Sequence, residues 1–350
     1  MPEDGADPRA VIDAMVRTLE PALVASPGPR YFGFVVGGAL PAALAADWLT
    51  STWDQNAALF VLSPAAALVE EVAAGWLRDL FGLPSTASVG FVTGGQMANF
   101  TCLASARDAM LRKVGWDVEE RGLTGAPRIK VIVGEQAHAT IFTALRLLGL
   151  GKDDVVRVPA DREGRMRADG LAIALGDAVG PTIVCAQAGN VDTGAFDPFT
   201  DIARMTRERG AWLHDDGAFG LWAATNPDLA HLVKDVGLAS SWAVDGHKWL
   251  NVPYDSGFAI VADPEAHRAA IGNARAAYLV TSDSQRDGQS WAPESSRRAR
   301  GFATYAALRS LGRRGIATMV GRCTALAKRM RGRLREVEGV VLLNEVVLNQ

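Results

Sequence analysis

The feature that most constrains the fold is an alternation of short β-rich runs with longer helical stretches, which begins near residue 88. Such an alternation favours an α/β fold, in which helices cover both faces of a mostly parallel sheet. The predicted strands are 88–93, 129–133, 154–158, 181–188, 211–214, 242–244 and 257–261. The predicted helices between them are 96–114, 139–149, 169–178 and 198–208.

The residues before this alternation are mainly helical in pattern. Apolar spacing predicts helices over 8–25, 39–50 and 64–81, and the second is apolar on nearly all sides, which predicts that it is largely buried. At the other end, the β-rich runs 340–343 and 346–348 predict strands of a C-terminal domain. We expect that domain to be incomplete, because the sequence stops soon after them.

Composition excludes several classes of protein. The chain has 36 basic and 39 acidic residues and a net charge of −3, so it lacks the positive surplus of a nucleic-acid binder. We interpret the cluster of Arg297, Arg298 and Arg300 as a solvated helix face. Polar residues interrupt the apolar runs well before about 18 residues, which predicts no transmembrane helix and no membrane partner.

The cysteines and the first residues indicate a cytoplasmic protein. Cys102, Cys185 and Cys323 stand apart in apolar surroundings and form no CxxC pair, which is typical of reduced, buried thiols. The first residues contain neither a basic nor an apolar signal region, so we expect no signal peptide.

The residues that could carry chemistry share one placement, just after a predicted strand. In open α/β sheets, ligands bind beyond the carboxyl ends of the strands, so this placement predicts a common site. The residues are Gly94, Gly95, His138, Asn190, Asp216, His247 and Lys248.

Lys248 and Asp216 have the side chains that a pyridoxal 5'-phosphate (PLP) enzyme needs. A lysine of fixed position can form a Schiff base with an aldehyde cofactor, although Lys248 could also lie on a surface loop. A carboxylate such as Asp216 can keep the pyridine nitrogen of PLP protonated. Two other interpretations of Asp216 stay open, a helix N-cap and a metal ligand with His214. With five histidines and no HExxH pair, a metal is disfavoured.

The Gly94-Gly95 turn and His138 complete the set. A glycine turn between a strand and a helix start can bind phosphate through backbone N–H groups, or it can be only a turn. It lacks the P-loop and dinucleotide-binding patterns. The His138 imidazole could stack on a cofactor ring, or serve a structural purpose.

Together these segments resemble the group II pyridoxal-dependent decarboxylases, the family of aromatic-L-amino-acid and glutamate decarboxylases. The resemblance extends over nearly the whole chain from Arg30 onward, and its last motif is highly specific. The matching segments are Arg30-Tyr-Phe-Gly-Phe, Leu40-Pro-Ala-Ala-Leu-Ala-Ala-Asp, Ser63-Pro-Ala-Ala, 76–84, Thr93-Gly-Gly-Gln-Met-Ala-Asn, Gln136-Ala-His, Gly194-Ala-Phe-Asp-Pro, His214-Asp-Asp-Gly-Ala and Asp245-Gly-His-Lys-Trp-Leu-Asn-Val-Pro-Tyr-Asp.

The resemblance implies PLP fold type I, a homodimer and a role for each site residue. Lys248 would carry PLP, Asp216 would pair with the pyridinium nitrogen, and His138 would stack on the ring. The remaining cofactor contacts implied are Ala218 on the other ring face, Gly95, Gln96 and His247 at the phosphate, and Asn190 nearby. It also implies an N-terminal helical segment at 1–85, which contributes to the dimer interface and substrate pocket, a PLP-binding large domain at 86–315, and the start of a C-terminal small domain at 316–350.

The chain departs from the family pattern in three places. The phosphate turn reads Gly-Gly-Gln-Met-Ala-Asn instead of Gly-Gly-Ser-Glu-Ala-Asn, and Asp245-Gly replaces Asn-Pro before His-Lys. The animal enzymes also have a mobile-loop Tyr that donates a proton to the substrate. The stretch 282–291 contains no Tyr, Gly288 falls near the expected place, and Tyr278 is the nearest candidate.

The predicted function is PLP-dependent decarboxylation of an L-amino acid, with Lys248, Asp216 and His138 as the catalytic residues. Other PLP chemistry on the same fold stays open, namely oxidative deamination to an aldehyde, aldehyde lyase or aminotransferase activity, as does a non-catalytic fragment. An aromatic substrate is favoured by the N-terminal residues, which could equally pack a dimer interface. These residues are Phe32, Phe34, Trp53, Leu59 and Phe60.

Overall fold

The sheet at the centre of the molecule has seven strands in the order β1-β7-β6-β5-β4-β2-β3. We obtained a computed structural model, which describes residues 1–272 and 285–350. The strands are β1 (Ser88–Val92), β2 (Lys130–Gly134), β3 (Val155–Val158), β4 (Thr182–Gln187), β5 (Trp212–Asp216), β6 (Ser241–Asp245) and β7 (Gly257–Val261). β7 is antiparallel to β1 and β6, and the other neighbouring pairs are parallel. The predicted mostly parallel α/β sheet is confirmed.

Ten α-helices surround the sheet in the described part of the chain. They are α1 (Pro8–Leu19), α2 (Pro41–Trp53), α3 (Pro64–Phe81), α4 (Gly95–Arg112), α5 (Val118–Arg121), α6 (Ala139–Leu147), α7 (Ala168–Gly176), α8 (Phe199–Glu208), α9 (Pro264–Ile271) and α10 (Gly301–Leu334). The bounds of α3 follow from its sequence. The Ser63 hydroxyl caps its first turn, and Gly82 ends it with a left-handed φ of 65°.

Two apolar cores lie on the two faces of the sheet. Side chains alternate along each strand, so Phe258 and Ile260 of β7 join one core while Ala259 and Val261 join the other. β2 divides in the same way, since Ile132 lies in the first core and its neighbours lie in the second. Strands buried on both faces explain why their sequences are nearly continuous apolar runs.

The prediction that the second N-terminal helix is largely buried is wrong. In α2, Ala43 and Thr50 are the buried residues, whereas Trp48 is 65% exposed and Trp53 is 50% exposed. α1 has no buried residue at all. An apolar helix surface indicates that the helix packs against another surface. The pattern alone does not indicate whether that surface belongs to the same chain.

The strands predicted near residue 350 are also absent, because 340–350 is irregular in the structure. Polar groups of this segment form hydrogen bonds with residues in loops and not with a strand at the edge of the sheet. The Asn344 amide donates to the Thr193 carbonyl at 3.3 Å, and the Glu345 N–H donates to the Glu163 carboxylate at 3.0 Å. Leu348 is buried without strand pairing, whereas Val341 is 77% exposed and Leu343 is 87% exposed.

A buried ion cluster ties α3 to the sheet, and it corrects the interpretation of the arginines. Glu70 is 1% exposed, accepts a hydrogen bond from Arg286 at 3.2 Å and forms an ion pair with Arg297, whose Nη1 lies 2.8 Å from Glu70 Oε1. Arg297 also donates to the carbonyls of Ala57 and Phe91. Arg297 is therefore an internal cross-link and not part of a solvated helix face.

Removing the Glu70 charge should be strongly destabilising. We expect Glu70→Gln to cost roughly 3–5 kcal/mol of unfolding free energy, because it leaves two buried guanidinium groups without their shared anion. The matched control is Asp79→Asn on the same helix, whose exposed pair with Arg313 is expected to contribute less than about 1 kcal/mol. Urea denaturation would measure both, and equal losses would contradict a structural role for the cluster.

Among the helices of the described residues, none has the length and apolar character needed to span a membrane.

Candidate active site

A cavity of about 290 Å³ opens where the carboxyl ends of β2, β4, β5 and β6 meet the start of α4. It brings seven of the eight predicted site residues together. The lining residues are Thr93, Gly94, Gly95, Gln96, Met97, Asn99, His138, Thr140, Gln187, Gly189, Val191, Asp216, Ala218, Phe219, Asp245, His247 and Lys248. Parallel strands end at one edge of the sheet, and this common edge explains why residues 150 positions apart, such as Gly95 and Asp245, meet here.

Lys248 is held in the turn that follows β6. Its Nζ lies 3.1 Å from Asp245 Oδ2 and 5.7 Å from the centre of the Phe219 ring. The N-terminal loop presses on this turn, since a Cβ added to Gly37 would stand 2.3 Å from the carbonyl oxygens of both His247 and Lys248. The backbone of the N-terminal loop therefore packs closely against the turn that carries the lysine.

The Gly94-Gly95 turn can cradle an anion. Gly94 has φ 148°, and a Cβ there would be 2.7 Å from the His247 ring. A Cβ on Gly95 would be 3.0 Å from an Asp245 oxygen. Gly95 also starts the 18-residue helix α4, so its backbone N–H and the positive end of the helix face the cavity. Side chains larger than hydrogen would fill this space.

Asp216 is the buried acid of the cavity. Burial raises the pKa of Asp216, while Lys248, His138 and a hydrogen bond from Asn99 oppose that rise. Its Oδ2 accepts from the Asn99 amide at 3.2 Å, and its Oδ1 accepts from the Ala218 N–H at 3.3 Å. Both oxygens therefore act as acceptors, as a carboxylate facing a protonated ring nitrogen must.

His138 stands at the mouth of the cavity and caps α6. Its Nδ1 accepts from the Thr140 N–H at 3.3 Å and lies 2.9 Å from the Thr140 hydroxyl. These contacts fix the ring through Nδ1, and the imidazole lines the cavity, where it could stack on a flat ligand.

Asn190 is the predicted site residue that lies outside the cavity lining. Its Oδ1 accepts from the N–H groups of Asp192 and Thr193, and its amide donates to Gln136 at 3.1 Å. The side chain therefore holds the loop after β4. The position of Asn190 after a predicted strand placed it near the cavity. That position did not indicate which way its side chain points.

Asp245 is a site residue whose importance the motif analysis missed. It is buried, and its carboxylate accepts from the Gly95 N–H at 2.5 Å. The same carboxylate lies 3.2 Å from His247 Nε2 and 3.1 Å from Lys248 Nζ. Asp245 thus contacts Gly95 and His247, which the resemblance assigns to the phosphate, and Lys248, which it assigns to the aldehyde. The sequence contained one indication of this role, since Asp245 stands where the family pattern has Asn.

The described residues contain no group of three or more His, Cys, Asp and Glu side chains placed to hold a metal ion.

Gly288 is buried against Ala57 and Arg297, and a Cβ there would lie 2.2 Å from the Ala57 carbonyl oxygen. The backbone at this position therefore has no room for a tyrosine. Tyr278 lies outside the described residues.

The fold and the donor set define a PLP-binding enzyme domain of fold type I. A family model described as "Pyridoxal-dependent decarboxylase conserved domain" matches residues 1–350, and the chain belongs to this family. Its cofactor is PLP, and the cavity contains groups that fit it: a lysine, a buried carboxylate, an imidazole and a glycine turn at a helix N-terminus.

Relatives and solved structures of several kinds are similar to the chain. An aromatic-L-amino-acid decarboxylase of Bacillus atrophaeus is 28% identical over 76% of this chain and 54% of the relative. An acidic amino acid decarboxylase of Bos taurus is 28% identical over 91% and 61%. The chain thus spans between half and two thirds of the length of these relatives.

The crystal structure of mouse CSAD has a TM-score of 0.89 at 25% identity, covering 99% of this chain and 73% of that one. Oryza sativa TDC with PLP and tryptamine has a TM-score of 0.88 at 25% identity, covering 96% and 71%. These likenesses show a shared fold, and the second structure contains PLP. The names of the two relatives divide between aromatic and acidic amino acids.

Neutralising Asp245 should strengthen PLP binding. A carboxylate on the Gly95 N–H competes with the cofactor phosphate for the same donor and repels its charge. We expect Asp245→Asn to bind PLP about tenfold more tightly, because the amide keeps the shape and adds a donor. Titration of the apoprotein followed by absorbance would measure this, and weaker binding by the variant would show that the carboxylate supports the cofactor.

Asp215 gives the fold a pH dependence of known sign. It is fully buried, its oxygens find no hydrogen-bond partner among the described residues, and burial raises its pKa well above the usual value. A raised folded-state pKa contributes stability below the unfolded pKa of about 3.9, and that contribution is lost as pH rises toward the folded pKa.

We therefore expect Asp215→Asn to be more stable than the parent at pH 8, and the gap to shrink toward pH 4. Each unit of pKa elevation corresponds to about 1.4 kcal/mol. Denaturant unfolding over this pH range would measure the gap, with the exposed Asp228→Asn as a control that should show no trend. A gap independent of pH would contradict burial of an uncharged Asp215.

Proposed function

We propose that this chain is the cofactor-binding part of an L-amino-acid decarboxylase. The observation that supports the proposal is the meeting of Lys248, Asp216, His138 and the Gly94-Gly95 turn in one cavity at the edge of the sheet. Family membership supports the reaction class. Lys248 and His138 are in reach of a ligand, and Asp216 is the buried acceptor beneath it.

The residues divide the work of the reaction. When bound, PLP supplies an aldehyde for the amine and a ring that accepts the electrons left by the departing carboxyl group. Lys248 Nζ would hold the aldehyde carbon, and Asp216 would keep the proton on the ring nitrogen. His138, which is hydrogen-bonded through Nδ1, keeps Nε2 for moving a proton at the substrate Cα.

An aromatic amino acid is the substrate class that we favour. The lining includes the apolar Met97, Val191 and Phe219, and none of the described lining residues is an arginine that could pair with a second carboxylate. The N-terminal aromatics Phe32 and Phe34 are not in this lining and stand 80% and 90% exposed. The aromatic assignment therefore rests on the cavity and not on those residues.

Oxidative deamination to an aldehyde is the second candidate. It is favoured by the buried, tyrosine-free turn at Gly288, where the family pattern has its proton-donating loop. Both reactions release carbon dioxide. Oxidative deamination also consumes dioxygen, which takes up two electrons to become hydrogen peroxide, and water, which replaces the amino group as it leaves as ammonia. Assaying carbon dioxide, ammonia and peroxide from one incubation separates the two reactions.

A homodimer is part of the proposal, as is a cytoplasmic location. The apolar side chains of α1 are exposed, and so are two tryptophans of α2. A second copy would bury this surface. The exposed side chains are Val11, Ile12, Met15, Val16, Leu19, Trp48 and Trp53.

Substrate preference can be read directly from product formation. We expect carbon dioxide release from tryptophan, tyrosine, dopa or phenylalanine to exceed that from glutamate or aspartate by at least roughly tenfold in kcat/KM, since an acidic side chain would find no guanidinium partner. A preference for glutamate or aspartate would contradict the aromatic assignment and leave the reaction class in place.

The covalent role of Lys248 has an independent test. Borohydride reduction in the presence of PLP should add one cofactor mass to the parent chain and none to Lys248→Ala, because the amine that condenses with the aldehyde is gone. The exposed Lys234→Ala is the matched control and should label as the parent does. Mass spectrometry reads the result, and labelling of Lys248→Ala would assign the cofactor elsewhere.

A further inference from the structure

A buried chain of hydrogen bonds leads from the interior of the sheet to Asp216. Its members are Trp212 and His214 of β5, Ser241 of β6 and Asn99 of α4. Trp212 is 6% exposed and the other three are 1% exposed or less. Polar groups this deeply buried need hydrogen bonds, so each direction of donation is constrained by the next.

The indole at the far end sets the direction. Trp212 Nε1 can only donate, and it lies 2.9 Å from Ser241 Oγ. The Ser241 hydrogen is then free to be donated to His214 Nδ1, which is also at 2.9 Å. Burial lowers the pKa of His214 to about 3, so the ring is neutral at neutral pH and its single proton is on Nε2.

The direction continues through the amide of Asn99. His214 Nε2–H donates to Asn99 Oδ1 at 2.9 Å, so the amide nitrogen must point the other way. Its two hydrogens are used at once, one on Asp216 Oδ2 at 3.2 Å and one on the Thr140 hydroxyl at 3.1 Å. Thr140 in turn contacts His138, so a single amide contacts the buried acid and supports the imidazole.

We propose that Asn99 is a positioning residue for the cofactor ring, and that the donor chain from Trp212 through Ser241 and His214 keeps its N–H group on Asp216. With Oδ2 bound to Asn99 and Oδ1 bound to the Ala218 N–H, Asp216 is held as an acceptor. That state is the one that can receive the N–H of a protonated pyridine ring. The inference rests on the proposed function, in which Asp216 faces the ring nitrogen.

The test compares PLP with the analogue in which carbon replaces the ring nitrogen. The analogue keeps the phosphate and the aldehyde but gives Asp216 no partner. We expect Asn99→Leu, a substitution of similar volume, to weaken PLP binding to the apoprotein roughly tenfold or more and to change binding of the analogue less than about twofold. Ser241→Ala, outside the cavity lining, should reduce the preference for PLP in the same direction by about threefold.

Absorbance titration of the full apoprotein gives the dissociation constants. The buried Ser105→Ala on α4, whose hydroxyl bonds only within its own helix, is the control for damage to the helix and should keep the parent preference. Failure of the parent chain to bind either compound would overturn the proposed function itself. A parent that binds both, with an unchanged preference in Asn99→Leu or Ser241→Ala, or equal loss of both ligands, would overturn the positioning role.

Discussion

The parallel pairing of the central strands is the constraint on which the rest of the structure depends. Because β2, β4, β5 and β6 run the same way, His138, Gln187, Asp216 and Lys248 reach one edge of the sheet from distant parts of the chain. β1 has the same direction, since β7 is antiparallel to both β1 and β6. The glycine turn at the start of α4 therefore opens into the same space.

Buried acidic side chains are stabilised in different ways at different positions. Glu70 is shared by two guanidinium groups and cross-links the N-terminal helices to the sheet. Asp215, next to the cavity acid, has side-chain oxygens without a hydrogen-bond partner among the described residues, and burial raises its pKa well above the usual value. Asp216 differs from both, because the Asn99 amide and the Ala218 N–H donate to its two oxygens. Lys248 and His138 also oppose the rise in its pKa that burial causes.

Asp245 is a buried acidic side chain at the common edge of the sheet. One carboxylate joins the backbone of the glycine turn, the imidazole of His247 and the amine of Lys248. It thereby orders the three groups that we propose contact the cofactor. The same contacts place an anion beside the donor that a phosphate needs, so preorganisation and competition come from one side chain.

The sequence by itself determined the strand and helix alternation, the bounds of α3 and the identity of most residues at the sheet edge, since periodicity and strand ends are local properties. Tertiary structure decided what local pattern cannot express. Asn190 turned to its own loop, Arg297 became an internal ion, and 340–350 found loop partners instead of a strand. The orientation of the Asn99 amide required knowing that an indole, a hydroxyl and an imidazole from two strands stand behind it. Hydrogen-bond direction depends on neighbours that only folding brings together.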